Sequence, residues 1–140
     1  MASDLADGLG GGWESEPIPD EDFLFMRVHK TWAKRDGSIS LGVFKNTPTP
    51  QDGMSTDWQK YSTPEETRSH SARKPPDEYA VIRMLAGKVR TIPKQEVEHT
   101  PLPDNRAHTD VFGEKDEEAR LLFGRIYEMV IGFDGESLAG

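Results

Sequence analysis

The stretch EHTPLPDNRAH, residues 98–108, gathers His99, His108, Glu98, Asp104, Asn105 and Arg106 around two prolines. If the segments at 95–100 and 107–111 pair as a hairpin, the two imidazoles lie near each other. His29 joins them if the first strand is adjacent. Two histidines with an arginine can cleave RNA without a metal, one as base, one as acid, with the arginine holding the phosphate. Arg27, Arg83 and Arg106 are candidates for that last role. The ordinary explanation stands beside this one. Histidines at strand ends commonly make structural hydrogen bonds, and Asp104-Asn105 is a good turn pair because both side chains bond their own backbone. The fourth histidine, His70, falls on a surface helix and is expected to be solvated.

Two other chemistries use some of the same residues. His99 and His108 with Asp104, Asp110 or Glu98 could hold a divalent ion. Neither an HExxH nor an HxH arrangement is present, so no metal is expected, nor any other cofactor. NAD-dependent ADP-ribosyl transfer uses an Arg or His on an early strand, a Ser, Thr or Tyr on a middle one, and a later Glu. Arg27-Val28-His29 and Ser55 fit the first two places. Glu96, Glu98 and Glu114 are equal candidates for the third. A P-loop, a GxSxG elbow and an EF-hand loop are all missing.

Composition says where such a site can be built. The chain has 140 residues, enough for one domain. Charged residues make up 30% and hydrophobic residues 34%, so part of the chain is expected to contribute nothing to a core. The net charge of −8 is concentrated: residues 1–22 hold seven of the 25 acids and no Lys or Arg, which leaves 18 acids against 17 bases in the body. With no cysteine, disulfides, thiolate metal sites and cysteine nucleophiles are excluded. No run has the length of a transmembrane helix, and the N-terminus lacks a basic segment followed by an apolar one. A cytoplasmic location without membrane contact is expected.

Residues 1–22 read as a disordered acidic tail, with Trp13 as a lone aromatic anchor within it. Residues 23–132 read as a single domain and 133–140 as a flexible C-terminus. FLFMRVH at 23–29 is a strand, expected to form a hairpin of 23–32 with 38–45 across the Asp36-Gly37 turn. Thr63-Pro64-Glu65-Glu66 is a capping box with proline at the first helical position, opening a helix expected to reach Arg73-Lys74. Further strands are expected at 79–85, 95–100 and 107–111. Ala119, Leu122, Phe123, Ile126, Tyr127 and Val130 recur at helical spacing, which predicts a C-terminal helix closing at Gly132. The fold class that follows is α+β: a small, mainly antiparallel sheet with the C-terminal helix packed on one face.

Arg27-Val28-His29, Met54-Ser55-Thr56-Asp57 and the span from His99 to His108 together resemble a group of small, uncharacterised bacterial proteins. These carry R-[VI]-H, M-S-x-D and H-x-P-x-x-x-x-x-A-H elements. The resemblance covers roughly residues 23–131. It implies a bacterial origin and no catalytic assignment, since the group has no known activity. The chain departs from it at Gly113-Glu114-Lys115, where Gly-Lys-Lys is the expected form.

Taken together, the sequence favours a small cytoplasmic, non-catalytic interaction or accessory subunit of a larger assembly. Its acidic arm, through Trp13, Asp20, Glu21 and Asp22, would dock on a larger protein partner. The alternative is a small metal-independent enzyme acting on RNA or a nucleotide through His29, His99, His108 and Arg27. Arg68, Arg73, Lys74, Arg83, Lys88, Arg90 and Lys94 form a local basic excess. A solvated mixed-charge surface explains it more simply than nucleic acid does.

Overall fold

A computed structural model describes residues 12–48, 52–70 and 74–138. Its centre is a six-stranded antiparallel sheet. The strands are β1 (Phe23–His29), β2 (Met54–Trp58), β3 (Tyr79–Leu85), β4 (Glu96–His99), β5 (His108–Phe112) and β6 (Glu128–Ile131), in spatial order β4-β5-β2-β1-β3-β6. Helices α1 (Pro64–Ser69), α2 (Ala86–Arg90) and α3 (Glu117–Ile126) lie between them in the chain. The α+β class is as the sequence implies.

Alternation along the strands separates two faces. Leu24, Met26 and Val28 of β1 point to one side with Met54, Trp58, Ile82, Met84 and Val111, all buried. α3 covers that side through Ala119 and Phe123. The Phe123 ring stacks on Phe44 with centroids 5.1 Å apart. Asp116 caps α3 by accepting from the Ala119 amide, with Glu117 and Glu118 in the first turn, where the helix dipole favours them. On the other face Phe25, Val81, Val130 and Ile131 form a smaller apolar cluster. The rest of that face is polar, and α1 packs against it from above β1 and β3. The Thr63 capping box is fully formed, the Thr63 hydroxyl accepting from the Glu66 amide and the Glu66 carboxylate from the Thr63 amide.

Three expectations change. The hairpin of 23–32 with 38–45 does not form. The Asp36-Gly37 turn is present, but it closes on a single Ala33–Ile39 bridge. Ser40 then caps a 3-10 turn at Leu41–Val43. Phe44 is needed beneath α3, which draws this segment off the sheet, and β1 pairs with β2 and β3 instead. The capped helix α1 ends at Ser69, short of Lys74, and residues 71–73 lie outside the described residues. α3 ends at Ile126 because Tyr127 turns extended (φ −77°, ψ 152°). Glu128–Ile131 then pairs with the free edge of β3, and β-branched Val130 and Ile131 complete the second cluster.

Parts of both termini lie against the domain. Residues 1–11 lie outside the described residues, but 12–22 form an arm laid against the domain, with Ile18 buried in the main core. Gly87 lets the arm approach, since a Cβ there would sit 2.7 Å from Asp20 Cβ. After β6 the chain folds back, the Leu138 amide donating to the Val130 carbonyl and the Gly132 amide to that of Glu136.

Replacing Phe123 by Ala should cost about 3–5 kcal/mol in urea-induced unfolding, the range for emptying a large aromatic site. Thr63→Ala should cost about 1 kcal/mol through the lost cap. A Phe123→Ala loss below about 1 kcal/mol would mean that α3 does not close the core this way.

Candidate functional site

The polar face of the sheet carries a cleft of about 610 Å³. β1, β2 and β5 form its floor, α1 and the loop after β4 form two walls, and Trp32, Lys45 and Thr47 close a third side. The floor follows from strand register. Phe25 pairs with Asp57, Asp57 with His108, and Ser55 with Asp110. The period of two therefore places Ser55, Asp57, His108 and Asp110 on one face with Arg27 and His29.

His108 is buried with every ring nitrogen in use. Nδ1 lies 3.0 Å from the Thr100 carbonyl oxygen and 3.1 Å from Thr100 Oγ1. The Thr100 hydroxyl donates to Asp110 Oδ2 at 2.8 Å, so its oxygen faces His108 as an acceptor. Two acceptors fix the proton of the neutral imidazole on Nδ1. Nε2 is then a lone pair, 3.3 Å from Ser55 Oγ, and accepts the serine proton. Behind the pair, Asp110 is 1% exposed and its Oδ1 has no hydrogen-bond partner among the described residues. Gly53 makes room for this carboxylate, as a Cβ there would lie 2.7 Å from Asp110 Cβ.

A second polar pair stands beside the first. Asp57 Oδ2 lies 2.9 Å from His70 Nδ1, and Oδ1 accepts from Asn105 Nδ2 at 2.8 Å. Burial raises the Asp57 carboxyl, but hydrogen bonds from His70, Asn105 and Thr67 outweigh it and the net shift is downward. The hydrogen bond to Asp57 raises His70, against a smaller opposing effect of burial. His70 is therefore a cleft residue rather than a solvated one. Arg27 reaches over from β1 and donates to the Thr67 carbonyl at 3.0 Å. His29 spends both nitrogens on structure: Nδ1 accepts from the Thr31 amide, so Nε2–H donates to Glu78 at 2.8 Å.

His99 does not join them. It pairs with Thr109, one residue out of phase with His108, and so projects from the opposite face. There it is 1% exposed, with the Trp58 ring 5.0 Å away. His99 and His108 therefore cannot share a metal ion or act on one substrate atom. Among the described residues no group of three or more His, Asp or Glu side chains is placed to hold a metal. Arg106 lies over Tyr61, away from the cleft, and Arg83 pairs with Glu128. Glu96 and Glu98 are exposed on β4, and Glu114 pairs with Lys94. The cleft's own carboxylates are Asp57 and Asp104.

Three of the arm's five acids are engaged within the chain. Glu16 pairs with Lys60 at 2.6 Å and bonds Tyr61, Asp20 pairs with Arg90 at 2.6 Å, and Asp22 accepts from the Trp58 indole at 2.9 Å. Trp13 is half-buried against Arg106, while Glu21 is exposed. Lys115, held by Asn46 and the Val111 and Gly113 carbonyls, has its amine pushed down to about 8 by burial. It ties the loop that carries Lys45 to the end of β5.

No protein-family model, no curated protein and no solved structure matches the chain. No helix among the described residues is long and apolar enough to cross a membrane.

The Asp57–His70 pair sets a pH window. His70 is raised above its ordinary 6.5, so its contribution is complete below that value and lost as pH rises through the raised one. Asp57 is lowered from 3.8, so its contribution is present above 3.8 and lost as pH falls through the lowered value. The melting-temperature gap between the native chain and His70→Asn should be widest between the ordinary values of Asp57 and His70, 3.8 and 6.5, and narrow as pH rises through the raised His70 value. A gap constant from pH 5 to about 9 would contradict the ion pair.

Proposed function

We propose that the chain is a small metal-independent enzyme acting on a nucleotide by histidine acid–base chemistry, with Ser55 and His108 as the reacting pair. The observation that carries this is their hydrogen bond in a cleft that also holds Arg27 and His70. An imidazole whose Nδ1–H is fixed by a carbonyl and whose Nε2 faces a hydroxyl is set up to take a proton from it. The cleft volume suits a nucleotide-sized ligand. Arg27 and Lys45 offer charge for phosphate oxygens, and Trp32 and Tyr79 offer apolar surface for a base or nicotinamide ring.

Among nucleotide reactions, ADP-ribosyl transfer from NAD+ fits the layout best. Arg27 and His29 stand on β1, Ser55 on neighbouring β2, and the proton acceptor on β5 beyond it. The C1′–N bond to nicotinamide breaks and the ring leaves with the bonding electrons. An acceptor oxygen forms the new bond to C1′, and its proton passes to His108 Nε2, directly or through Ser55. The anionic Asp57 stands where the usual glutamate is absent and can offset positive charge developing on the ribose.

The accessory-subunit reading relied on an acidic arm free to dock on a larger partner. With Glu16, Asp20 and Asp22 bonded in cis, three of the five acids in residues 12–22 are already engaged, which weighs against it. A cysteine-free chain resembling bacterial proteins suits a reducing bacterial cytoplasm, where NAD+ and RNA are both at hand.

Incubation of the full chain with NAD+, followed by chromatography for released nicotinamide and by intact mass, tests the proposal. Short RNA serves as the competing substrate. Nicotinamide release is expected, and Ser55→Ala or His108→Asn should each lower it about 100-fold or more. Release unchanged in both variants would overturn the assignment. RNA cleavage without NAD+ turnover would keep the pair and replace the substrate.

A further inference from the structure

We infer that His99, although it faces away from the cleft, is a positioning residue that couples the N-terminal arm to the cleft loop at 100–107. The inference rests on the cleft being the functional site. Ser15 Oγ donates to the His99 carbonyl at 2.7 Å, and the Glu16 amide donates to His99 Nδ1 at 3.0 Å. Because Nδ1 accepts, the proton of the neutral ring is on Nε2. That N–H donates to the Arg106 carbonyl at 2.7 Å. One buried ring thus joins the arm to the far end of the loop.

Both ends of the loop feed the cleft. At the near end, Thr100 follows His99 directly and supplies the carbonyl and hydroxyl that set the His108 tautomer. At the far end, the fixed Arg106 carbonyl follows Asn105. Asn105 Oδ1 accepts from the Ala107 amide at 3.1 Å, and its Nδ2 holds Asp57. Between these ends the loop has its own Leu102–Asn105 backbone pair, with both N···O distances 3.0 Å. The arm also grips the loop from outside, through Glu16 to Arg106 at 3.7 Å and the Trp13 ring near the same guanidinium. Released from the arm, the His99 Nδ1 lone pair and the Glu16 amide would each lose a partner. Each of the loop's two cleft-facing contributions would then lose its external anchor.

The test is NMR of the full chain without substrate, so its failure is distinct from failure of the nucleotide reading. The reporters are the Asn105 side-chain amide pair and the His108 ring nitrogens. His99→Phe keeps the aromatic packing on Trp58 and removes both nitrogens. Ser15→Ala with Glu16→Ala loosens the arm and leaves His99 intact, which covers the case where His99→Phe does not fold. Both variants should shift the reporters and speed exchange of the Asn105 amide at least about 10-fold. His99→Gln, which can still donate toward Arg106, should reverse most of the His99→Phe effect, and Lys88→Ala, at an exposed position of α2, should do nothing. Reporters that stay at native positions, with shifts confined to residues 13–16 and 60–61, would overturn the inference. So would failure of Gln to rescue.

Discussion

The register of β2 against β5 is the constraint on which the site depends. Pairing Asp57 with His108 and Ser55 with Asp110 puts four polar groups on one face of a sheet whose other face is apolar. A slip of β2 by one residue would send Ser55 and Asp57 into the core beneath α3 and turn Met54, Thr56 and Trp58 outward. The hydrophobic side therefore enforces the polar side. Burial of Trp58, Met54 and Val111 makes any other register costly, and the cleft inherits its geometry from that cost.

Buried polar groups are expensive unless bonded, and this face meets the requirement almost everywhere. Asp57 is satisfied by His70, Asn105 and Thr67, and His108 by Thr100 and Ser55. The exception is Asp110 Oδ1, an acceptor without a partner among the described residues, directly behind the Ser55–His108 hydrogen bond. Such networks are costly to leave incomplete, which explains why so much surrounding structure is spent on them. The arm, the α1 cap and the loop at 100–107 each hold one member in place.

Much of the frame was legible from local chemistry. The Thr63 capping box, the Asp36-Gly37 turn and the β4–β5 hairpin rest on short-range rules, and all three are present. The choice of partner for β1 was not, because pairing to β2 and β3 depends on which segment α3 needs beneath it. The end of α3 was hidden because Val130 fits both a helical stripe and an edge strand. Of the residues that stand out by type, Arg27, His29 and His108 line the cleft. Proximity in a hairpin suggested His99 as well, but nine residues of separation across this turn left it one step out of phase with His108. Asp57 and His70 were missed for different reasons. Ser55-x-Asp57 does show two polar residues on one strand face. The bond between Asp57 and His70 comes only from how α1 docks, which no local pattern records. The arm's contacts were masked by its acidic, glycine-rich composition, although Ile18 is the one aliphatic residue between Trp13 and Phe23 and the one that anchors it.

We propose that the polar face, and not the arm, is where this protein meets its substrate. Backbone-amide NMR of the full chain titrated with NAD+ tests it most directly. Shifts that saturate and cluster at residues 25–29, 55–57 and 105–108 are expected. Saturating shifts centred on residues 13–16 and 60–61, or none anywhere at millimolar NAD+, would contradict it.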